Sequence, residues 1–285
     1  MIDYFLYKQK INNMCLSMVI LVKNEEDIIK ENISFHSKIG VDNFVIMGNN
    51  STDNTRDILN ELQKDYEITI IDEKGDYQQS KFMTKLAKIA KKKYKPDWII
   101  NSDADEFWLP KNNSGLKENL NFNGSILFVQ RSNMILYKGL DNWKESEYRV
   151  KNQILNREDG INLFLTKLGR KVIINPYGYY KTNSGNHSAE HIAFWKKKEI
   201  DNIHIYHYPI RNYKQFENNI KNRYELLKRG AKMGSHYKRW AKIYQEGKLE
   251  YEFYNNLLID NPNCLEQVGI LNFEPNIKQE VFKEI

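Results

Sequence analysis

The sequence predicts an α/β fold, a largely parallel sheet with helices on both faces followed by a helical C-terminal region. Two observations carry this. Short apolar runs alternate with stretches of helical periodicity through the first half. The connections between them are short, as βαβ units require. Cys15–Val22 is apolar and β-branched and reads as a buried strand. Between Glu25 and Ile39, the spacing of Ile28, Ile29, Ile33, Phe35 and Ile39 predicts a helix, with Gly40 placed to end it. Asn43–Met47 reads as a second strand, followed by a Gly48–Asp53 turn and a helix with Ile58, Leu59 and Leu62 inward. Glu67–Ile71 is a third strand. Phe82, Leu86, Ile89 and Ala90 define a helix over 78–93 that Pro96 stops, and Trp98–Ile100 is a fourth strand.

The second half is less regular. Ser125–Gln130 and Lys171–Asn175 read as strands, 138–159 as a loop or lid, and Tyr213, Phe216, Ile220, Tyr224 and Leu227 as one face of an amphipathic helix. The 285 residues suffice for about two domains. With 41% hydrophobic and 28% charged residues, a disordered or collagen-like chain is excluded. No run approaches the ~18 apolar residues of a membrane span, and Cys15–Val22 is too short for a signal peptide. Two cysteines, Cys15 and Cys264, make no disulfide framework, so a reducing, cytoplasmic setting is expected.

The net charge of +6 is uneven. Ten Lys/Arg against two Glu lie between Arg211 and Lys242, leaving the remainder slightly acidic. Such a segment suits a phosphate, an acidic substrate or peripheral contact with an anionic membrane, although most single lysines simply solvate a helix face. Nucleic-acid binding is a competing reading, without an RRM, KH or zinc-finger signature to support it. A nucleotidyltransferase is another, weakened by the lack of G-x-G-x-x-G and Walker A sequences.

In parallel sheets, ligands bind beyond the carboxyl ends of the strands. Three polar segments fall there: Lys23–Glu25, Gly48–Asp53 and Asp103–Glu106. In Asp103-Ala104-Asp105, two carboxylates at i and i+2 of an extended chain point the same way and suit a hard divalent cation. Such a cation would stabilise a departing diphosphate. Alone, D-x-D is usually a turn or solvated surface; here it ends an apolar strand opposite two polar loops.

The segments Val19–Glu26, Asn50–Thr55 and Asp97–Phe107 together resemble the family 2 glycosyltransferases. The D-x-D-E-F form looks most like a branch related to family 92, as do Gly185–Ser188 and His204–Arg211. These segments span Leu16 to Arg229. The resemblance implies a GT-A fold: a domain over 1–235, with a nucleotide-binding half at about 14–110 and an acceptor half at about 111–235, then a helical tail over 236–285. It implies a metal-dependent transferase that moves a sugar from a nucleotide-sugar, a UDP-sugar first and a GDP-sugar second, to a saccharide or lipid-linked acceptor. Inversion at the anomeric carbon, Mn²⁺ or Mg²⁺, and a place in surface polysaccharide, lipooligosaccharide or capsule synthesis follow from family habit.

Residue by residue, the resemblance assigns Asp103 to ribose or metal, Asp105 to metal, Asn24 and Glu25 to the nucleoside pocket, and Asp76 or Asp72 to the base. His207 would be a third metal ligand. Where the family commonly has an acidic residue that helps recognise the base, this chain departs with Gly48 or Asn49, and Asn49 could still hydrogen-bond a base edge. Asp53 reads chiefly as a helix-capping residue. Arg211 could bind the donor diphosphate. Inversion needs a base near the acceptor hydroxyl; Glu190, Glu106 and His187 are the leading candidates, with Glu158, Asp159 and His191 also available. Glu106 could instead orient a metal ligand. Trp108 and Trp143 are the sugar-stacking candidates.

Overall fold

The computed structural model describes residues 13–112, 114–154, 162–231 and 233–282. These fall into two compact units, one drawn from Met1–Arg131 and Gly169–Tyr206, the other from Ser132–Leu168 and His207–Lys283.

In the first unit, β1 (Leu16–Val22), β2 (Asn43–Asn49), β3 (Ile68–Glu73) and β4 (Trp98–Asp103) alternate with α1 (Ile29–Lys38), α2 (Thr55–Leu62) and α3 (Gln79–Tyr94). The strands lie side by side in the order β3-β2-β1-β4, all parallel. Their carboxyl ends therefore emerge together. Val19, Val45, Met47 and Ile99 pack against Phe82, Met83, Leu86 and Ala90 of α3. The alternate residues Met18, Ile20, Phe44 and Ile46 are equally buried on the opposite face, as a sheet covered on both sides requires. Gly40 follows α1 at φ +107°, a conformation that turns the chain into β2 and favours glycine.

Beyond β4 the sheet becomes mixed. It continues through β8 (Lys171–Ile174), β6 (Ile126–Asn133), β11 (Lys197–His207) and β5 (Glu106–Pro110). β8 runs antiparallel to β4, with Ile99 opposite Ile174 and Ile100 opposite Ile173. It also runs antiparallel to β6, with Val129 opposite Lys171. This register carries Lys171 to the carboxyl end of β4. A separate hairpin pairs β9 (Tyr179–Thr182) with β10 (Ala189–His191).

In the second unit, α4 (Tyr213–Lys228) and α5 (Ser235–Gln245) share a core of Phe216, Ile220, Trp240, Leu249 and Phe253. The amphipathic face read from the sequence is thus a packing face. The stretch expected to be a loop or lid instead supplies β7 (Tyr148–Val150), which pairs with β12 (Leu271–Phe273). A three-residue strand completed by a partner more than 120 residues away leaves no periodic trace in the sequence. Among the described residues, no helix is long and apolar enough to cross a membrane.

Candidate active site

At the carboxyl end of β4 the chain turns through Asp103-Ala104-Asp105 into β5. Ala104 is buried and both aspartates are half-buried; Ala104 and Asp105 form a turn between the two strands rather than the extended chain on which the i, i+2 reading rests. The turn is held from beneath by α1. Asn32 Nδ2 donates to Ala104 O and to Glu106 O, both at 2.9 Å. Trp108 N donates to His36 Nε2 at 3.1 Å, so the His36 proton sits on Nδ1, which donates to Asn32 O at 2.8 Å. Burial pushes the His36 pKa down to about 3, so the ring stays neutral.

The carboxylates of this turn have cationic partners that the sequence did not announce. Lys171 is 1% exposed, and its ammonium pairs with Asp103 Oδ2 and lies 3.1 Å from Glu106 Oε1. Arg131 Nη1 reaches the same Glu106 oxygen at 2.7 Å. The second Glu106 oxygen accepts from Asp103 N at 3.1 Å. Glu106 is therefore a fully buried counter-ion with both oxygens engaged. Asn186, in the loop after β9, donates to Asp103 Oδ1 at 3.2 Å. The adjacent His187 donates from Nδ1 to Arg170 O at 2.8 Å, which leaves Nε2 as the acceptor. Burial, joined by the Lys171 and Arg131 charges, holds the His187 pKa below the usual imidazole range. Thus Asp103, Glu106 and His187 come together, along with Lys171, Arg131 and Asn186, which motif reading missed.

The other two polar segments converge as expected. Asn24, at φ +57°, accepts from Thr52 N at 2.8 Å, while its own N donates to Ser51 Oγ at 3.2 Å. Glu25 N donates to Thr55 Oγ1 at 2.8 Å. Asp53 accepts from Thr55 N at 3.1 Å and from Glu26 N at 3.2 Å, so it joins the two loops and caps α2. Beyond β1, β2 and β3 lies a cleft of about 180 Å³ whose walls include Val22, Gly48, Asn50, Arg56 and Asp72. Arg56 and Asp72 form a two-point pair across it, at 2.9 and 3.1 Å.

Asn49 is buried beside this cleft, and its amide hydrogens go to Glu73 O and Gly75 O, at 3.1 and 3.0 Å. It tethers the chain after β3. Asp76 is exposed on that tethered segment, whereas Asp72 forms the cleft wall.

Glu190 lies apart from the cluster in bonding terms, exposed on β10 and paired with Lys181 at 3.0 Å. His191 is buried in the same hairpin against Gly178. Glu158 and Asp159 fall outside the described residues. In the second unit, His207 is oriented by Asn133 Oδ1, 2.6 Å from Nδ1. Arg211 is buried, with Nη1 donating to Tyr208 O at 3.3 Å. The stacking expectation for two tryptophans is corrected. Trp108 is wholly buried with Nε1 on Ser102 Oγ at 2.9 Å, and Trp143 packs edge-on against Tyr208 and Phe282. Neither presents a face to a sugar.

An α/β sheet of this strand order, with an acidic turn at the end of β4 and a cleft beyond β1 to β3, has the architecture of a GT-A glycosyltransferase. The sequence model described as "Glycosyl transferase family 2" matches residues 17–178, more than half of the chain, and the chain belongs to that family. No curated protein matches it in sequence. Among solved structures, it is similar to S. aureus TarS 1–349 in complex with UDP: 14% identity over 84% of this chain and 72% of that one, with a TM-score of 0.45. It is also similar to glucosyl-3-phosphoglycerate synthase from Mycobacterium tuberculosis in complex with Mn²⁺, UDP and phosphoglyceric acid. That likeness has 16% identity over 47% of this chain and 46% of that one, with a TM-score of 0.30. These are likenesses of chain path alone.

Proposed function

We propose that this glycosyltransferase takes its sugar from a nucleoside-diphosphate donor, a UDP-sugar first and a GDP-sugar second, and passes it with inversion to a saccharide or lipid-linked acceptor. The observation that carries the reading is the Asp103–Asp105 turn at the end of β4, braced by Asn32 of α1 and with Lys171 paired to Asp103. Asn24 and Glu25 would border the nucleoside. Asp72 and Arg56 are better placed than Asp76 to meet the base. The D-x-D-E-F form supports a branch related to family 92, and family habit supports surface polysaccharide, lipooligosaccharide or capsule synthesis in the cytoplasm.

The donor chemistry fits a divalent cation carried in on the diphosphate, which needs only one or two protein carboxylates. It is no self-sufficient cage: among the described residues no three His, Cys, Asp or Glu side chains gather to hold an ion. Asp105, with Asp103 beside it, would hold the cation. When bound, the cation would stabilise negative charge on the leaving diphosphate. His207 is a separate candidate ligand. Asn133 Oδ1, 2.6 Å from Nδ1, would orient its ring.

For the base, His187 has the better support. It is neutral, its Nε2 is an acceptor, and its neighbour Asn186 is bonded to Asp103. Glu106 is better suited to hold Asp103 and Lys171 in place, and Glu190 stays the acceptor-side carboxylate candidate.

The test is thermal unfolding with UDP, GDP, CMP and dTDP, each with and without Mn²⁺. A ligand that binds only the native state raises the melting temperature by mass action. UDP stabilisation that needs Mn²⁺ is the expected result. No shift with any nucleotide would overturn the donor assignment, and an equal shift without Mn²⁺ would overturn the metal.

A further inference from the structure

A second surface lies at the opposite end of β4 from Asp103. There the chain leaves β10 through Ile192 and a short turn at Phe194–Lys196, then enters β11. Ile192, Phe194 and Trp195 are 60, 64 and 68% exposed, and the two rings meet edge-on at 5.2 Å. Lys196, Lys197 and Lys198 follow directly and are exposed. The turn is anchored: Ser125 Oγ donates to Ala193 O at 2.7 Å, and Ser125 N donates to Lys196 O at 3.0 Å. Gly124, beside Lys196 O, also approaches the Trp98 ring at the start of β4.

Tyr177 extends the same end of the sheet. Ile192 N donates to Gly178 O at 2.8 Å, and the exposed Tyr177 ring lies 5.3 Å from Lys91 Nζ. Its hydroxyl donates to Lys95 O at 3.4 Å, at the C-terminus of α3. Lys92 and Lys95 are exposed there too. Of the acids on these elements, Glu190 pairs with Lys181 at 3.0 Å and Glu199 with Arg170 at 3.5 Å, Asp97 accepts from Cys15 N at 2.8 Å, and Asp201 is exposed on β11, so the lysines outnumber the acids without a cationic partner. None of these aromatic residues belongs to the donor cleft or the Asp103 cluster.

We propose that this surface docks the protein on an anionic lipid bilayer. Projecting aromatic rings flanked by lysines match the two layers of a membrane interface. The rings enter the boundary of the acyl chains while the ammonium groups stay at the headgroups. A second copy of the chain fits poorly, because a symmetric contact would press the two lysine runs together. Docked this way, Asp103 stands five residue steps up β4, roughly 17 Å at strand rise. The donor cleft then opens toward water rather than lipid.

The experiment is vesicle flotation of the full chain, with phosphatidylcholine alone and with phosphatidylcholine mixed with phosphatidylglycerol. Binding only to the anionic vesicles, weakened by added salt, is expected. Phe194→Ser/Trp195→Ser should lower the partition coefficient about tenfold or more. Lys196→Gln/Lys197→Gln should lower it roughly twenty-five-fold, at about fivefold per lysine near an anionic surface. Both variants should unfold at the wild-type temperature, since the changed side chains are exposed. Failure of the wild type to bind anionic vesicles, or undiminished binding by the aromatic variant, overturns the proposal. So does a wild-type dimer that the aromatic variant turns into a monomer, which assigns the surface to self-association.

Discussion

At the scale of single residues, the site depends on a buried lysine. Lys171 stands between Asp103 and Glu106 with almost no access to water. Removing one partner of such a cluster leaves uncompensated buried charge, at a cost of about 3–5 kcal/mol. Lys171→Met should therefore destabilise the protein by that order in chemical denaturation and lower transfer about a hundredfold, the usual effect of losing one charge-stabilising donor. Lys171→Arg, which keeps the charge, should recover part of both. Loss of stability without loss of transfer in the methionine variant would reduce Lys171 to a structural role. Asp105 is the converse case. It is half-buried, and Asp105→Asn should change stability by less than about 1 kcal/mol. It should nonetheless abolish the Mn²⁺ dependence of nucleotide binding. Full metal-dependent transfer by that variant would remove Asp105 from the site.

At the scale of elements, α1 acts as the support of the D-x-D turn. Asn32→Ala deletes two buried hydrogen bonds to the turn carbonyls and leaves both acceptors unmatched, at about 1–3 kcal/mol for each unsatisfied group. The transfer rate should fall with it, because the carboxylates lose their fixed direction. His36 in the same helix makes the fold acid-sensitive. Its pKa is lowered to about 3 in the native state, below the ordinary value of 6.5. The unfolded chain therefore binds the proton first, and stability falls as the pH drops from 6.5 toward 3. The full effect is on the order of 5 kcal/mol. Urea denaturation at stepped pH should show this slope, and His36→Gln should flatten it. An unchanged slope would place the acid sensitivity elsewhere.

At the scale of the whole molecule, one parallel half-sheet gathers the ends of four strands. Hydrogen exchange with and without UDP and Mn²⁺ tests that convergence. Protection should appear together at residues 22–26, 48–56, 72–76 and 103–106, which are far apart in sequence. Protection concentrated in 211–242 instead would move the ligand to the basic segment. That segment is less available than its charge suggests: Arg211 is buried, Arg223 lies 3.9 Å over the Tyr237 ring, and Lys228 pairs with Glu225 at 3.1 Å.

The sequence alone determined the parallel half of the fold and the polar segments at its strand ends. Those features are local: a strand or helix declares itself in a window of residues through its periodicity. The place of the Asp103–Asp105 turn at the end of β4 was legible for the same reason, as was the meeting of Asn24 with Ser51 and Thr52, since a βαβ unit places successive loops side by side. Only the tertiary structure decided what surrounds them. Lys171 reads in sequence as the first residue of an apolar strand, and Arg131 follows the Ser125–Gln130 run in no motif. The antiparallel register of β8 against β4 and β6 carries both to Glu106, and register is a property of paired strands rather than of either one. The same holds for Asn49, whose amide is taken by Glu73 and Gly75, and for Trp108 and Trp143, whose burial depends on partners distant in the chain.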